Sequence, residues 1–412
     1  MIEIEPLRAW GSGERELPAR VAAELAASGV VAVTPLADGR WLLRADSMVG
    51  VLAGEGWELQ IHPHLEISKL LFLLSYSLRP QGWEGPLTAM ATERDLVHAL
   101  ASGFCMHAER VIERGLVRGY LQVHERRNDL RGSVRFKEQL TRLAGRALPL
   151  EVAYDEFTTD ILENQLLRTA TERLLLLSRL PAPVRARLAR LRGALVDVSV
   201  LGARAGAELP RPTPLNERYE AALLIASLIL EGTSIRLQRG HVALRSFIFD
   251  LNEVFESFVF VALREALRPY GGVLARQVCG SLCAGASAAL RLRPDILWRK
   301  HGGVRAVVDS KYKHLAQSAP TPSEDVYQML AYCIGFGLRR GTLVYVCEGP
   351  WLPRVHEIRR HGYEIDVCGV DLADQPGAIL ARIGAIAAAI AARAPSDMDR
   401  KLSVTPALAP AC

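Results

Sequence analysis

The spacing of hydrophobic residues divides the 412-residue chain into regions of different predicted structure. Residues 1–60 carry short alternating runs typical of strands, around a helix predicted at Arg20–Ser28 and a turn at Asp38-Gly39. From Glu66 the apolar residues recur every three or four positions, which predicts a helix, and a second long helix is predicted at Thr92–Arg114. This part of the chain therefore mixes strands and helices.

The middle of the chain is predicted to be almost wholly helical. A charged stretch at Gly115–Glu138 and a short connector at Pro149–Thr158 come first. The predicted helices are Ile161–Leu177, Ala182–Arg192 and Glu217–Leu230, the last two separated by a proline-rich loop at 209–214. We therefore predict an N-terminal α+β region at residues 1–150, which would dock a partner, and a helical region at residues 151–240.

The pattern changes again near His241, where a third region, residues 241–394, is predicted. Asp250 and Glu253 form a capping-box pattern at the start of an amphipathic helix that extends to Leu267. The elements predicted after it are strands at Val273–Cys279, Arg291–Trp298 and Val304–Tyr312, a helix from Pro322 to Ile334, a strand at Thr342–Cys347 and an alanine-rich helix at Ala378–Arg393. The core order is thus α-β-β-β-α-β, and residues 395–412 are predicted to be a flexible tail.

Candidate chemistry lies where the hydrophobic strand of this third region ends. Strand alternation places Asp309 and Lys311 on one face, with Ser310 opposite, and Asp295 lies on the neighbouring strand across a short turn. Two carboxylates on adjacent strands can share one hard cation such as Mg²⁺, with Mn²⁺ as a substitute. A lysine beside them could orient an attacking water and stabilise developing negative charge. The trio predicts metal-dependent phosphodiester hydrolysis.

A plainer interpretation stays open, in which Asp309 and Lys311 are a solvated pair on an edge strand. The buried run before them and the Pro-Asp one hairpin upstream favour the metal site. Glu256, at the border of the amphipathic helix, is a candidate further ligand or a solvated glutamate. Gln328 and Tyr332 share a helix face and could support the lysine or simply pack.

Composition and charge exclude several classes of protein. Half of the residues are hydrophobic, which is ample for cores and excludes wholesale disorder. The net charge of +5 permits an anionic partner without requiring one. We expect a cytoplasmic protein without a membrane partner. The seven cysteines are scattered, and the sequence has no signal peptide and no apolar run of membrane-spanning length. The chain contains no Gly-Lys dipeptide, so we expect no P-loop nucleotide site of its own.

Taken together, these motifs resemble the McrC family, the nuclease subunit of the McrBC modified-cytosine restriction system. The resemblance rests in the third region on Asn252–Glu256, Arg293-Pro294-Asp295, Val307–Lys311 and Asp325–Tyr332, and upstream on Asp155–Phe157, Glu163–Leu167 and Leu59–Leu65 leading into Leu70–Ser77. It covers nearly the whole chain apart from the tail.

The resemblance implies a mixed α/β protein with a C-terminal PD-(D/E)xK restriction-endonuclease-like domain. Matched onto this sequence, the metal-binding acids of the family fall on Asp295 and Asp309, and its catalytic lysine falls on Lys311. It also implies two partners, DNA and an McrB-like AAA+ GTPase that the chain would stimulate. The arginine-rich run that contains Arg126, Arg127 and Arg131 could contact DNA, contact that partner, or be a solvated loop.

Three functions remain open at this stage. The first is a Mg²⁺-dependent endonuclease subunit of a GTP-driven restriction complex. The second is a nuclease-fold adaptor that mainly activates a partner NTPase, and the intact Asp295, Asp309 and Lys311 argue against it. The third is a stand-alone DNA repair nuclease, which would cut without a partner.

Overall fold

The computed structural model describes residues 2–81, 83, 95–143, 148–177, 180–202, 209–211, 213–234, 245–282, 290–359 and 361–393. The protein is a mixed α/β fold, as predicted. The predicted tail at 395–412 lies outside the described residues.

Two small sheets form the N-terminal part. The first has the order β1-β6-β5-β10, built from β1 (Ile2–Arg8), β6 (Trp57–His62), β5 (Met48–Gly54) and β10 (Arg245–Asp250). The second has the order β2-β4-β3, built from β2 (Ser12–Glu16), β4 (Arg40–Ala45) and β3 (Val31–Pro35), and helix α1 (Ala19–Ser28) packs beside it. Leu25 and Trp57 are fully buried in the core between them.

Strand β10 comes from far along the chain, yet it completes this N-terminal sheet. It pairs antiparallel with β5, and Gly50 lies opposite Ile248. A Cβ at Gly50 would lie 2.0 Å from the carbonyl oxygen of Phe247, and its φ is +130°, so only glycine allows the two strands to approach this closely. The region predicted at residues 241–394 is therefore joined, through its first strand, to the region predicted at residues 1–150.

A third sheet is formed by residues for which no strand was predicted, in the charged stretch at Gly115–Glu138 and the connector at Pro149–Thr158. Strands β7 (Gly119–Arg127), β8 (Ser133–Val134) and β9 (Leu150–Thr158) form it in the order β7-β9-β8, beside helix α4 (Phe136–Leu143). The prediction of a connector at 149–158 is wrong, because these residues form β9, the central strand of this sheet. Most of β7 is exposed or half-buried on both faces, so its sequence lacks the apolar alternation that indicates a strand. The boundary predicted at residue 150 falls where β9 begins, opposite Arg127.

The helices of the middle region pack into one large core. Helices α2 (Ile67–Leu78), α3 (Leu96–Glu113), α5 (Leu162–Leu175), α6 (Ala182–Ala194) and α7 (Glu220–Ser234) form this layer. Their apolar faces meet at Phe72, Phe104 and Leu167, and the same core continues into the C-terminal part. The predicted helices are confirmed within a few residues at each end.

The C-terminal part is a six-stranded sheet with helices on both faces. Its elements are α8 (Leu251–Leu267), β11 (Val273–Arg276), β12 (Gly280–Ser281), β13 (Arg291–Leu292), β14 (Ile296–Lys300), β15 (Gly303–His314), α9 (Ser323–Gly335), β16 (Arg340–Cys347), β17 (Arg354–Ile358), β18 (Tyr363–Asp371) and α10 (Pro376–Arg393). The strand order of this sheet is β11-β14-β15-β16-β18-β17, and β12 pairs with β13 in a separate two-stranded sheet. Strands β14 and β15 are antiparallel, whereas β15, β16 and β18 run parallel. The predicted α-β-β-β-α-β order is present, extended by β17 and β18.

Successive residues of β15 point to opposite layers. Val308 is buried in the core that includes α8 and α10, and Val307 is buried in the core that includes α9. Helix α8 starts as predicted, because the Asp250 carboxylate accepts a hydrogen bond from the backbone nitrogen of Asn252. This buried strand is a rigid base for the polar residues at its end.

Two predicted strands are shorter than expected, and both end beside the candidate acids. The strand predicted at Arg291–Trp298 is interrupted at 293–295, because Pro294 has no N–H to donate to a neighbouring strand. The strand predicted at Val273–Cys279 ends as β11 at Arg276, since Gln277 takes a left-handed conformation with φ +47°.

Helix α10 corrects one expectation. By length and composition it could span a membrane, although no apolar run of that length was expected. In the fold, Ile379, Ile383 and Ile390 pack in the same core as α8, so one face of this helix is buried.

An aromatic stack connects the N-terminal and C-terminal parts. Trp10, with φ +55°, stacks on Tyr312 at 5.1 Å between ring centroids. Phe255 of α8 is a further aromatic neighbour of Tyr312, at 5.7 Å between ring centroids. The residue after Lys311 is thus packed between both parts of the protein.

Candidate active site

The β14–β15 hairpin brings the two predicted acids opposite each other. Ile296 pairs with Val308 at this end of the hairpin, so the next residues outward, Asp295 and Asp309, occupy facing positions. The turn at the other end has left-handed residues at His301 and Gly302, as the predicted hairpin requires. The prediction that these carboxylates lie side by side on adjacent strands agrees with this geometry.

Asp309 is the most buried group of the site. Only 2% of the residue is exposed, and its Oδ2 lies 2.6 Å from Nζ of Lys311 in an ion pair. The contact is charge-assisted, and the Oδ2 atom is itself buried from solvent. Burial raises the pKa of Asp309, while Lys311 acts to lower it.

Asp295 lies between hydrogen-bond donors and a like charge. Its Oδ2 accepts hydrogen bonds from the backbone nitrogen of Ser310, at 2.8 Å, and from the Ser310 hydroxyl, at 3.1 Å. Burial, followed by the charge of Asp309, raises the pKa of Asp295 to about 7. Ser310 was assigned to the opposite face by strand alternation, so its contact with Asp295 is a site interaction that the pattern missed.

Helix α9 supports the lysine from the other side. Nζ of Lys311 donates a hydrogen bond to Oε1 of Gln328 at 2.9 Å. The Tyr332 hydroxyl donates to the backbone oxygen of Arg293 at 3.2 Å, and burial, with Asp309 and Asp295, raises its pKa. Both predicted supporting residues therefore lie at the site, one on the lysine and one on the chain that leads to Asp295.

The neighbouring lysine has a different environment. Nζ of Lys313 donates to Glu324 at 2.9 Å and to Asp325 at 3.2 Å. Asp325 is buried and also accepts a hydrogen bond from the Tyr345 hydroxyl at 2.7 Å. Lys313 thus attaches β15 to α9, whereas Lys311 contacts the candidate metal ligand.

Glu256 is near the acids but already has partners. Its Oε1 accepts hydrogen bonds from Nη2 of Arg276 at 3.0 Å and from Nε2 of Gln277 at 3.1 Å. Its charge also contributes to the raised pKa of Asp295. In the described part of the chain, no three His, Cys, Asp or Glu side chains are grouped closely enough to hold a metal ion.

The donor set nevertheless fits a hard divalent cation. Asp295 and Asp309 supply carboxylate oxygens, and an ionised carboxylate has about four lone-pair sites, more than the contacts with Ser310 and Lys311 occupy. Magnesium binds through one or two carboxylates and keeps several waters, so two ligands are sufficient. A cation there would also offset the repulsion between the two carboxylates.

The three predicted contact arginines lie apart from this chemistry in the β7–β9 sheet. Arg126 pairs with Glu151 at 2.6 Å, and Arg127 pairs with Asp129 at 2.9 Å. Arg131 lies 3.6 Å from Glu156 and 3.9 Å from the ring centre of Tyr154. Arg126 and Arg127 belong to a strand, not to a loop, and all three charges have carboxylate partners.

Comparison with known proteins decides the family. A family model described as "McrBC 5-methylcytosine restriction system component" matches residues 43–346. The chain belongs to this family. The resemblance to McrC inferred from the motifs is thereby confirmed, and the matched segment includes Glu256, Asp295, Asp309 and Lys311.

A solved structure has a similar overall fold. A refined half-complex of Thermococcus gammatolerans McrB AAA+ hexamers with bound McrC is similar to this chain with a TM-score of 0.56 and 18% identity, covering 94% of this chain and 100% of that one. A cryo-EM structure of the Thermococcus gammatolerans McrBC complex has a TM-score of 0.39 and 19% identity over 65% and 88%, too low to support an argument. No curated protein sequence matches the chain.

Proposed function

We propose that this chain is the DNA-cutting subunit of a GTP-dependent modified-cytosine restriction complex. The observation that carries the proposal is the facing pair Asp295 and Asp309 with Lys311 against Asp309, at the end of a buried strand. Family membership supports the restriction system, and the McrC named in the similar structure is bound to McrB AAA+ hexamers. We therefore propose DNA as substrate and an McrB-like AAA+ GTPase as partner.

The proposed fold assignment is a PD-(D/E)xK nuclease core. The α-β-β-β-α-β order, the antiparallel β14–β15 hairpin and the parallel β16 support it. In this arrangement, Asp295 corresponds to the acid of the PD element, and Asp309 with Lys311 to the D-x-K element. Gln328 is a positioning residue in this account, because its side chain holds the ammonium group of Lys311.

The proposed reaction is hydrolysis of one phosphodiester bond. Mg²⁺, or Mn²⁺ in its place, would be held by Asp295 and Asp309 and would supply Lewis-acid stabilisation of the phosphate. Lys311 orients the attacking water and stabilises the negative charge that develops on the phosphate oxygens. The water oxygen forms a new bond to phosphorus and releases one proton to solvent, one phosphorus–oxygen bond of the backbone breaks, and the leaving oxygen takes a proton from solvent.

The experiment uses the full chain with its cognate partner, GTP, Mg²⁺ and methylated plasmid. Asp309→Asn and Lys311→Ala should each lower cleavage at least about 100-fold, since each removes an electrostatic contribution to the transition state. Lys313→Ala is the matched control, because this lysine lies two residues away and pairs with α9. Normal cleavage by either site variant, in a folded protein, would refute the assignment.

The same assay distinguishes the two other functions. An adaptor that only activates the partner would stimulate GTP hydrolysis without cutting DNA, even with wild-type Asp309. A stand-alone repair nuclease would cut in Mg²⁺ without partner or GTP. The proposed restriction subunit cuts only when both are present.

A further inference from the structure

Two exposed arginines, Arg276 and Arg293, flank the acids on the β11 side, and Gln277 and Glu256 connect them. Nη2 of Arg293 donates a hydrogen bond to Oε1 of Gln277, and Nε2 of Gln277 donates to Oε1 of Glu256 at 3.1 Å. Glu256 accepts in turn from Nη2 of Arg276 at 3.0 Å. The four side chains form one continuous polar chain along the rim of the site.

The backbone of Gln277 adopts an uncommon conformation in order to hold this position. Its φ of +47° is rare for a residue other than glycine. Its backbone nitrogen donates to the backbone oxygen of Asp295 at 3.1 Å, so the turn is fixed directly to the segment that carries the candidate metal ligand. Non-glycine residues in this region are strained and cluster at functional sites.

Arg293 carries a charge that has no carboxylate partner. Within the described residues it makes no ion pair, and its side-chain hydrogen bond is to a neutral amide. Arg126, Arg127 and Arg131, by contrast, all pair with carboxylates. The exposed Arg293 is fixed through its backbone by Tyr332 and through its side chain by Gln277. A cation held in place close to Asp295, with no carboxylate partner among the residues that the structure describes, can bind an anionic ligand.

Arg276 is held in a similar way on the other side of Gln277. Its guanidinium group lies 5.3 Å from the ring centre of Phe260, and 37% of its side chain is exposed. One of its nitrogens pairs with Glu256, and a guanidinium group offers five donors in a planar fork. Donors therefore remain for a phosphate at the mouth of the site.

We propose that Arg276, Gln277 and Arg293 form a bracket that binds the DNA backbone beside the scissile phosphate. The two guanidinium groups contact phosphates, and Gln277 fixes their separation and their position relative to Asp295. This inference rests on the proposed function, because it assumes that DNA is the ligand. Gln277 and the arginines are positioning residues, which bind the backbone and contact no reacting atom.

The test measures binding without cleavage. The full chain is titrated into a fluorescein-labelled duplex of about 20 base pairs in EDTA, and anisotropy is followed from about 0.05 to 0.2 M salt. Arg276→Ala and Arg293→Ala should each weaken binding about fivefold to tenfold and lower the slope of log K against log salt by about one. Arg293→Lys should retain the slope, since it keeps the charge.

Arg264→Ala is the matched control. Arg264 is on the same helix as Glu256, and its guanidinium group lies 5.9 Å from the same Phe260 ring, but it pairs with its neighbour Glu265. Its removal should change the affinity less than twofold. If Arg276→Ala and Arg293→Ala bind like wild type, or like Arg264→Ala, the bracket is refuted.

Gln277→Gly tests the connecting residue without risk of misfolding from strain. Glycine adopts a φ of +47° freely, so this variant should melt at or above the wild-type temperature. Its DNA affinity should nevertheless fall, because Arg293 loses the side chain that holds it and Glu256 loses one of its two donors. Wild-type affinity in this variant would refute the role of Gln277.

Failure of the inference is distinguishable from failure of the proposed function. If cleavage depends on Asp309 while the arginine variants bind normally, only the bracket is wrong. If the complex never cuts DNA but the arginine variants bind more weakly, the bracket stands as a DNA contact and the nuclease proposal is wrong. Absence of binding by the wild-type chain at the lowest salt contradicts the bracket.

Discussion

Replacing Asp295 with asparagine should stabilise the metal-free protein above neutral pH. Asp295 and Asp309 occupy facing positions, and the pKa of Asp295 rises to about 7. The Oδ2 atom of Asp295 accepts both hydrogen bonds from Ser310, and the amide oxygen of asparagine can accept the same two. The amide nitrogen then presents a donor in place of a second negative charge.

The magnitude follows from the pKa of Asp295. A rise from 3.8 to about 7 corresponds to about 4 kcal/mol of unfavourable free energy for the ionised form. Water at the open side of the site stabilises the ionised carboxylate and reduces this unfavourable free energy. We therefore expect Asp295→Asn to increase the free energy of unfolding by about 1–3 kcal/mol at pH 8. That corresponds to an increase of about 1–5 °C in melting temperature for a chain of this size.

The pH dependence has a definite sign. The folded state binds the proton of the Asp295 carboxyl group more tightly than the unfolded state does. Wild-type stability therefore falls as pH rises from about 4 towards 7. The advantage of Asp295→Asn should therefore be large at pH 8 and clearly smaller at pH 4.5, and it should vanish only below pH 3.8, where the carboxyl group is protonated in the unfolded state as well. Differential scanning calorimetry in EDTA measures both values.

A matched control and a metal titration complete this test. Asp366→Asn removes a buried carboxylate that pairs with Arg340 and Arg393, and it should destabilise the protein at both pH values. Millimolar Mg²⁺ should raise the melting temperature of wild type but not of Asp295→Asn. If Asp295→Asn is less stable than wild type at pH 8, or if its gain does not vary with pH, the two carboxylates do not repel each other as argued.

Three further predictions concern the lysine support, DNA binding and partner contact. Gln328→Ala should lower the cleavage rate about tenfold at unchanged partner GTPase activity, because Lys311 loses its hydrogen bond; an unchanged steady-state cleavage rate would contradict this. The isolated chain should bind duplex DNA with strong salt dependence and no methylation preference, as measured by anisotropy; methylation-specific binding would contradict it. Arg126→Glu places a like charge against the buried Glu151, so it should lower GTPase stimulation first and cleavage as a consequence; cleavage lost at full stimulation would exclude a docking role.

The acid pair could be predicted because its determinants are local. A hydrophobic strand that ends in Asp309-Ser310-Lys311, preceded by a short hairpin and Asp295, fixes the relative positions through strand alternation and turn geometry alone. The capped start of α8 at Asp250 is local in the same way. Such features depend on residues close in sequence, and their predicted positions agree with the structure.

Features that depend on distant residues could not be predicted in this way. Strand β10 joins β5 through a glycine some 200 residues earlier in the chain, and the sequence around either strand does not specify that pairing. The β7–β9 sheet is solvated on much of both faces, so it has little apolar alternation to detect. Gln277 carries no sequence signal, because its importance comes from a backbone conformation and from contacts with Glu256 and Arg293.

The most direct test of the central claim separates cutting from partner activation in one variant. Asp295→Asn changes one charge at almost constant volume, so surfaces that bind the partner are unaffected. With partner, GTP, Mg²⁺ and methylated DNA, this variant should co-elute with the partner and stimulate GTP hydrolysis at the wild-type rate, yet fail to cut. If it cuts DNA normally, or if it loses GTPase stimulation as completely as cleavage while folded, Asp295 is not part of a dedicated nuclease centre.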